Sequence, residues 1–188
     1  MNTQLKLLAI LFSSAFVFVQ AAPLESGFLC CNMRTDGSWI SDNNYAENGK
    51  RIVPLGTPIK FVSLGRYRVN VEIDGRRQSI GNDYSRELTL DEFAARYIVA
   101  KNPRDGFAAL PPKIRLGMES MRVTKGMTKD QVIAAIGHPI TSENPHLDVR
   151  QWRYWLSSFA PYAVDFDENG KVSGVTTHVD TLLRVFIE

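Results

Sequence analysis

Cysteine is almost absent from this chain: two residues in 188, and they are adjacent, Cys30-Cys31. A small fold framed by several separated disulfides is therefore excluded. Three states are open to the pair: a vicinal disulfide, a bridge to another chain, or two buried thiols. A structural role is expected rather than redox or metal chemistry. A zinc site needs four ligands, and the three histidines (His138, His146, His178) are not spaced to complete one with the pair. Long hydrophobic runs are also lacking. The longest, Leu7–Val19, spans 13 residues, whereas a membrane-spanning helix needs ~20. With the polar, singly charged start Met1–Lys6 before it and small residues after it, this run reads as a secretory signal cut after Ala21. No transmembrane span is expected. Nor is there an excess of either charge: 22 Lys and Arg, with Lys6 in the leader, face 20 Asp and Glu. Such a balance excludes nucleic-acid binding driven by phosphate neutralisation. It offers no polybasic membrane segment, so lipid contact has no support from net charge.

Catalytic patterns are missing as well. No Gly-rich phosphate loop and no nucleophile elbow occur. Cys30 or Cys31 with His138, and Ser157 or Ser158 with His146, pair only on paper. The run Asp165-Phe166-Asp167-Glu168-Asn169-Gly170 resembles a calcium loop, but Val175 stands where the loop's final Glu belongs, so a hairpin turn is expected. The chain is read as no enzyme, with no catalytic, cofactor-binding or metal-binding residue and no cofactor.

What is present is strand, turn and cap chemistry. Cys31–Lys50 is polar and turn-rich and reads as a loop with at most a short strand at Trp39-Ile40. Tyr67, Val69, Val71 and Ile73 alternate with Arg68, Asn70 and Glu72, and Asp74-Gly75 marks a hairpin. Pro58–Ile80 is thus three antiparallel strands, weakly similar to an SH3-like half-barrel. The arginines Arg66, Arg68, Arg76 and Arg77 form a basic cluster, read as a solvated face with an anion patch as its alternative. Thr89 and Glu92 spell a capping box for a helix ending near Lys101, before Pro103. Asn102–Gly106 is the expected linker. A second helix is expected over Pro112–Met121, Pro at its start.

The densest block is Lys125–Val175. Thr128 and Gln131 form another capping box; Val132, Ile133 and Ile136 supply one buried face; Gly137 and Pro139 stop the helix. Strands are predicted over Val149–Leu156, Ala163–Phe166 and Lys171–Thr177, giving an α+β sandwich with two helices on a three-stranded antiparallel meander. Along the first of these strands, Trp152 and Tyr154 share one face, Arg153 and Trp155 the other. Five aromatic residues (Trp152, Tyr154, Trp155, Phe159, Tyr162) fall within eleven positions. Only one sheet face can lie beneath the helices, so Arg153 and Trp155 are the candidate interaction surface. Packing of Trp155 against the N-terminal module is the competing expectation.

The spaced signals Gly126-Met127-Thr128, Gln131-Val132, Ile136-Gly137, Pro139, Trp152-Arg153-Tyr154 and Phe166-Asp167-Glu168-Asn169-Gly170-Lys171-Val172 resemble the SmpA/OmlA, or BamE-like, family over residues 112–177. The resemblance implies a bacterial host, an exported protein at the periplasm or the periplasmic face of the outer membrane, and non-enzymatic binding to envelope proteins, including outer-membrane assembly components. The alternative on the same fold is a secreted or periplasmic inhibitor or ligand-binding protein. Two departures stand out: Gly27-Phe28-Leu29 before Cys30 is no lipidation signal, and an extra N-terminal module precedes the resemblance. The expected organisation is a signal peptide over 1–21, a β-rich module with a closing helix over 22–102, and a BamE-like domain over 107–188. The sequence leaves residues 178–188 open between an added strand and a free tail.

Overall fold

Alternation of Val69, Val71 and Ile73 with polar neighbours makes one strand half-buried, and the rest of the N-terminal half assembles around it. The computed structural model describes residues 26–188; the predicted signal peptide lies outside them. Strands β1 (Ser26–Leu29), β2 (Met33–Thr35), β3 (Trp39–Ser41), β4 (Arg51–Val53), β5 (Pro58–Leu64), β6 (Arg68–Ile73) and β7 (Arg76–Gly81) come first. Helix α1 (Leu90–Tyr97) and β8 (Ile98–Val99) complete an eight-stranded sheet of order β4-β2-β3-β7-β6-β5-β1-β8. The predicted hairpin sits between β6 and β7, where Asp74 (φ 52°) and Gly75 (φ 71°) both take the positive φ of a primed turn.

The sheet is larger than a three-stranded half-barrel, and most of Cys31–Lys50 is not plain loop. β2 and β3 are three residues each, too short for periodicity to register. Each buries single apolar residues, Met33 and Ile40, and β3 runs parallel to β7, a partner some forty residues away. Helix α1 stops at Tyr97 rather than near Lys101. The β-branched pair Ile98-Val99 leaves the helix and pairs with β1.

The C-terminal half follows the predicted order. Helix α2 (Pro112–Glu119) begins on Pro and ends two residues short of Met121, which has φ 52°. After β9 (Val123–Thr124) comes α3 (Lys129–Ile136), whose capping box is formed in both directions between Thr128 and Gln131. Then β10 (Gln151–Trp155), β11 (Pro161–Phe166) and β12 (Val172–Thr176) make the antiparallel meander. The last residues are ordered: α4 (Val179–Val185) leads into β13 (Phe186–Ile187), which pairs parallel with β9. The chain is α+β.

Two hydrophobic cores result. One lies under the large sheet, with Val69, Val71, Ile73, Phe93 and Tyr97 fully or almost fully buried. The other lies between α2, α3 and the meander, with Trp152 at its centre. Leu55, from the N-terminal half, belongs to the second core, and Ile133 packs against both.

The joint between the halves carries a polar seam in which the side-chain amides of Asn32 and Asn44 are fully paired. A helix leaves its last carbonyls without intrahelical partners. At α3 these are taken by the other half of the chain. Asn32 N–H donates to Ala134 O (3.0 Å), Asn32 Nδ2 to Ala135 O (3.1 Å) and Asn44 Nδ2 to Ile136 O (2.8 Å). Asn32 also donates to Met118 O and accepts from Leu55 N–H. Gly137 ends α3 with φ 93° and ψ 171°, an extended positive-φ conformation rather than the left-handed helical one expected. Its reason is contact as much as conformation: a Cβ there would lie 3.2 Å from Met33 Sδ and 3.3 Å from Asn44 Nδ2.

Candidate functional site

The meander has one covered face. Trp152, Tyr154, Tyr162, Val164 and Phe166 point under the helices, and Trp152 meets Phe166 edge-on at 4.9 Å. By strand alternation the opposite face carries Gln151, Arg153 and Trp155 from β10, and Pro161, Ala163 and Asp165 from β11. Cross-strand register sets Arg153 opposite Ala163 and Trp155 opposite Pro161; Thr176 flanks Ala163 from β12. Neither helix of the sandwich covers this face. Residues His178 and Thr181, at the start of α4, border it.

A groove of about 560 Å³ runs along it, lined by Arg153, Trp155, Phe159, Ala163, Thr176 and His178 among others. One end is Phe159, which is 96% exposed at the tip between β10 and β11. On the same sheet face, outside the groove lining, Asp165 accepts from Gln151 Nε2 (2.7 Å) and from Thr176 Oγ1 (2.6 Å), so its charge is held in place. Arg153 is exposed and lies 3.6 Å from Glu143. Trp155 is half-buried, with its exposed part in the groove. Arg153 and Trp155 therefore share one surface feature.

Two contributors were not singled out in the sequence. Phe159 was visible only as one aromatic among five; its turn position is what leaves it bare. Asn144 had no signal at all. Its amide donates to Arg153 O (2.9 Å) and accepts from Arg153 N–H (2.8 Å), closing part of the outer edge of β10 as a neighbouring strand would.

A second groove, about 650 Å³, lies where α1 faces α2 and α3. Val99, Phe107, Leu110, Met118 and Ile133 make it apolar, and Cys30 and His138 line it too. Cys30 and Cys31 are joined to each other, and both are buried. His138 Nε2 lies 3.1 Å from Arg96 O and donates to it; Nδ1 is buried without a partner. Burial, reinforced by Arg96, lowers the imidazole pKa to about 4. It is neutral at physiological pH. His146 lines a separate hollow with Glu143, Pro145 and Val149 that contains neither Ser157 nor Ser158. Among the described residues no three His, Cys, Asp or Glu side chains converge as a metal-binding set, and no helix is long and apolar enough to cross a membrane.

Fold and surface define the C-terminal half as a small two-helix, three-strand module with an uncovered sheet face. Residues 120–176 match the family model described as the outer membrane protein assembly factor BamE domain, as the motifs between Gly126 and Val172 indicated. The matched segment takes in β9, α3 and the whole meander; the N-terminal half, α2 and α4 lie outside it. Neither a curated protein nor a solved structure matches the chain significantly. The matched family is one of outer-membrane assembly factors at the cell envelope.

Proposed function

We propose that this chain is an exported, non-enzymatic protein-binding component of the bacterial envelope, acting at the periplasmic face of the outer membrane in support of outer-membrane protein assembly. The contact surface is the open face of β10–β12, with Trp155 and Phe159 as aromatic anchors and Arg153 as the charged one. The observation that carries this reading is Phe159. An aromatic ring left 96% exposed at the mouth of a groove is costly in water and useful against a partner. Aromatic and Arg side chains are those that concentrate binding energy at interfaces.

A photo-crosslinking amino acid at position 159, in cells, tests it. The expected product is a crosslink to an outer-membrane assembly subunit that disappears when Arg153 and Trp155 are both changed to Ala. A probe at 159 that crosslinks only to lipid or to nothing would overturn the reading. A second reading, ligand binding, has one observation in its favour: the apolar groove at the junction of the two halves falls in the size range of small-molecule sites. Retention of an apolar small molecule through purification, seen by native mass spectrometry, would support it.

A further inference from the structure

Helix α4 is apolar on two sides. Its inner side buries Thr181 and Val185, and Val185 joins the C-terminal core. Its outer side is not covered. Val179 and Leu183 are four residues apart, so they stack on one side of the helix; they are 58% and 70% exposed. After Phe159 they are the most exposed large apolar side chains among the described residues. Leu182, half-buried, widens the stripe. The helix that presents it is anchored at both ends. Before it, Thr177 Oγ1 donates to Pro161 O (2.7 Å); after it, β13 pairs with β9. Helix and stripe lie outside the segment that matches the family model.

Each stripe residue is followed by a charge, Asp180 after Val179 and Arg184 after Leu183. One residue turns the helix by roughly 100°, so both charges flank the stripe on the same side, the acid toward its N-terminal end and the base toward its C-terminal end. Among the described residues neither has an Asp, Glu, Lys or Arg partner within ion-pair distance; Asp180 lies 3.7 Å from His178 Nδ1. This order of charges is complementary to itself. When a second copy lies antiparallel across a two-fold axis, the stripes meet, and Asp180 of each copy faces Arg184 of the other. The helix dipoles then run in opposite senses as well. A parallel pair loses both advantages. We propose that α4 is a self-association element, through which two copies of this chain pair in this antiparallel arrangement with Val179 and Leu183 packed across the axis. The seven residues of α4 make roughly 10 Å of helix, too little for the ~800 Å² per partner of a standard interface. The pair is therefore weak and forms as concentration rises. It does not rest on the binding role of the open sheet face.

Sedimentation velocity of the mature chain from about 10 μM to about 1 mM, a range suited to a small interface, tests this. A reversible shift from monomer to dimer is expected. Leu183→Ser should leave the chain monomeric throughout. Asp180→Arg alone and Arg184→Asp alone each set like charges across both contacts, and each variant, checked to melt as wild type does, should associate about ten-fold more weakly. An equimolar mixture of these two variants puts opposite charges back at both contacts and should dimerise as wild type does. Arg153→Ala/Trp155→Ala should also associate normally, since it alters only the sheet face. Wild-type protein that stays monomeric over the whole range would overturn the proposal. So would a Leu183→Ser variant that associates normally, or a mixture no better than its components. If Arg153→Ala/Trp155→Ala abolishes association and the α4 variants do not, the copies meet through the open sheet face and the proposal fails.

Discussion

At the scale of single residues, two buried titratable groups oppose one another. Asp42 is 1% exposed and accepts from the backbone N–H groups of Asp83 and Tyr84. Burial outweighs these bonds and raises its pKa to about 6. The folded protein thus holds this proton more tightly than the unfolded chain, and the stability so gained at acid pH is lost as pH rises from the ordinary carboxylate value of 3.8 through about 6. His138 runs the other way. Its folded pKa, about 4, lies below the ordinary 6.5, so its contribution is complete above pH 6.5 and is lost as pH falls toward 4. Each slope is at most about 1.4 kcal/mol per pH unit, and between pH 4 and 6 they cancel. Urea denaturation at pH 4, 5 and 6 should therefore find little change for wild type from these groups. Asp42→Asn should become more stable as pH rises across this range, and His138→Gln less stable. Parallel curves for all three proteins would refute the opposition.

At the scale of elements, α3 shows what local chemistry can and cannot specify. Its start is a capping box, and Thr128→Ala should cost about 1 kcal/mol in a denaturant titration. Its end depends on distant residues. Gly137→Ala meets both a positive φ and the side chains of Met33 and Asn44, so it should cost about 1–3 kcal/mol, more than the cap. An equal or smaller loss would show that the contact relaxes freely. The same division explains which elements were legible. Helices α1, α2 and α3 carry their own caps or prolines, and the β6–β7 hairpin carries Asp74-Gly75, so each was readable from neighbours in sequence. β2, β3, β4 and β8 are two or three residues long and exist because partners from elsewhere complete them. Polar Cys31–Lys50 hides two of them: Met33 and Ile40 are too few to make a period. In the candidate site, Arg153 and Trp155 were legible by strand alternation. Phe159 was not, because exposure at a turn tip depends on what fails to cover it.

At the scale of the whole molecule, the question is whether two cores behave as one. They share Ile133, and Leu55 crosses from one half into the core of the other. The stronger tie is the asparagine seam. Asn32 supplies its whole side-chain amide, two donated bonds and one accepted, in a site 3% exposed. Asn44 donates to Asn32 O and Ile136 O and accepts from Arg34 N–H. Between them they terminate α3, so the helix that organises the BamE-like module is finished by the N-terminal module. Removing the Asn32 side chain leaves two buried backbone groups, Ala135 O and Leu55 N–H, unpaired, since Met118 O still accepts from Met121 N–H at 3.4 Å; each unpaired group costs about 1–3 kcal/mol. Asn32→Ala should thus lower stability by about 2 kcal/mol or more. A simple loss of contacts would only shift the transition. A loss of coupling does something further: wild type should melt in one calorimetric transition, whereas Asn32→Ala/Asn44→Ala should separate into two, with Trp39 and Trp152 fluorescence, each followed in a single-tryptophan background, reporting the N- and C-terminal halves apart. If the double variant still melts as one unit at a lower temperature, the shared apolar contacts, and not the seam, hold the halves together.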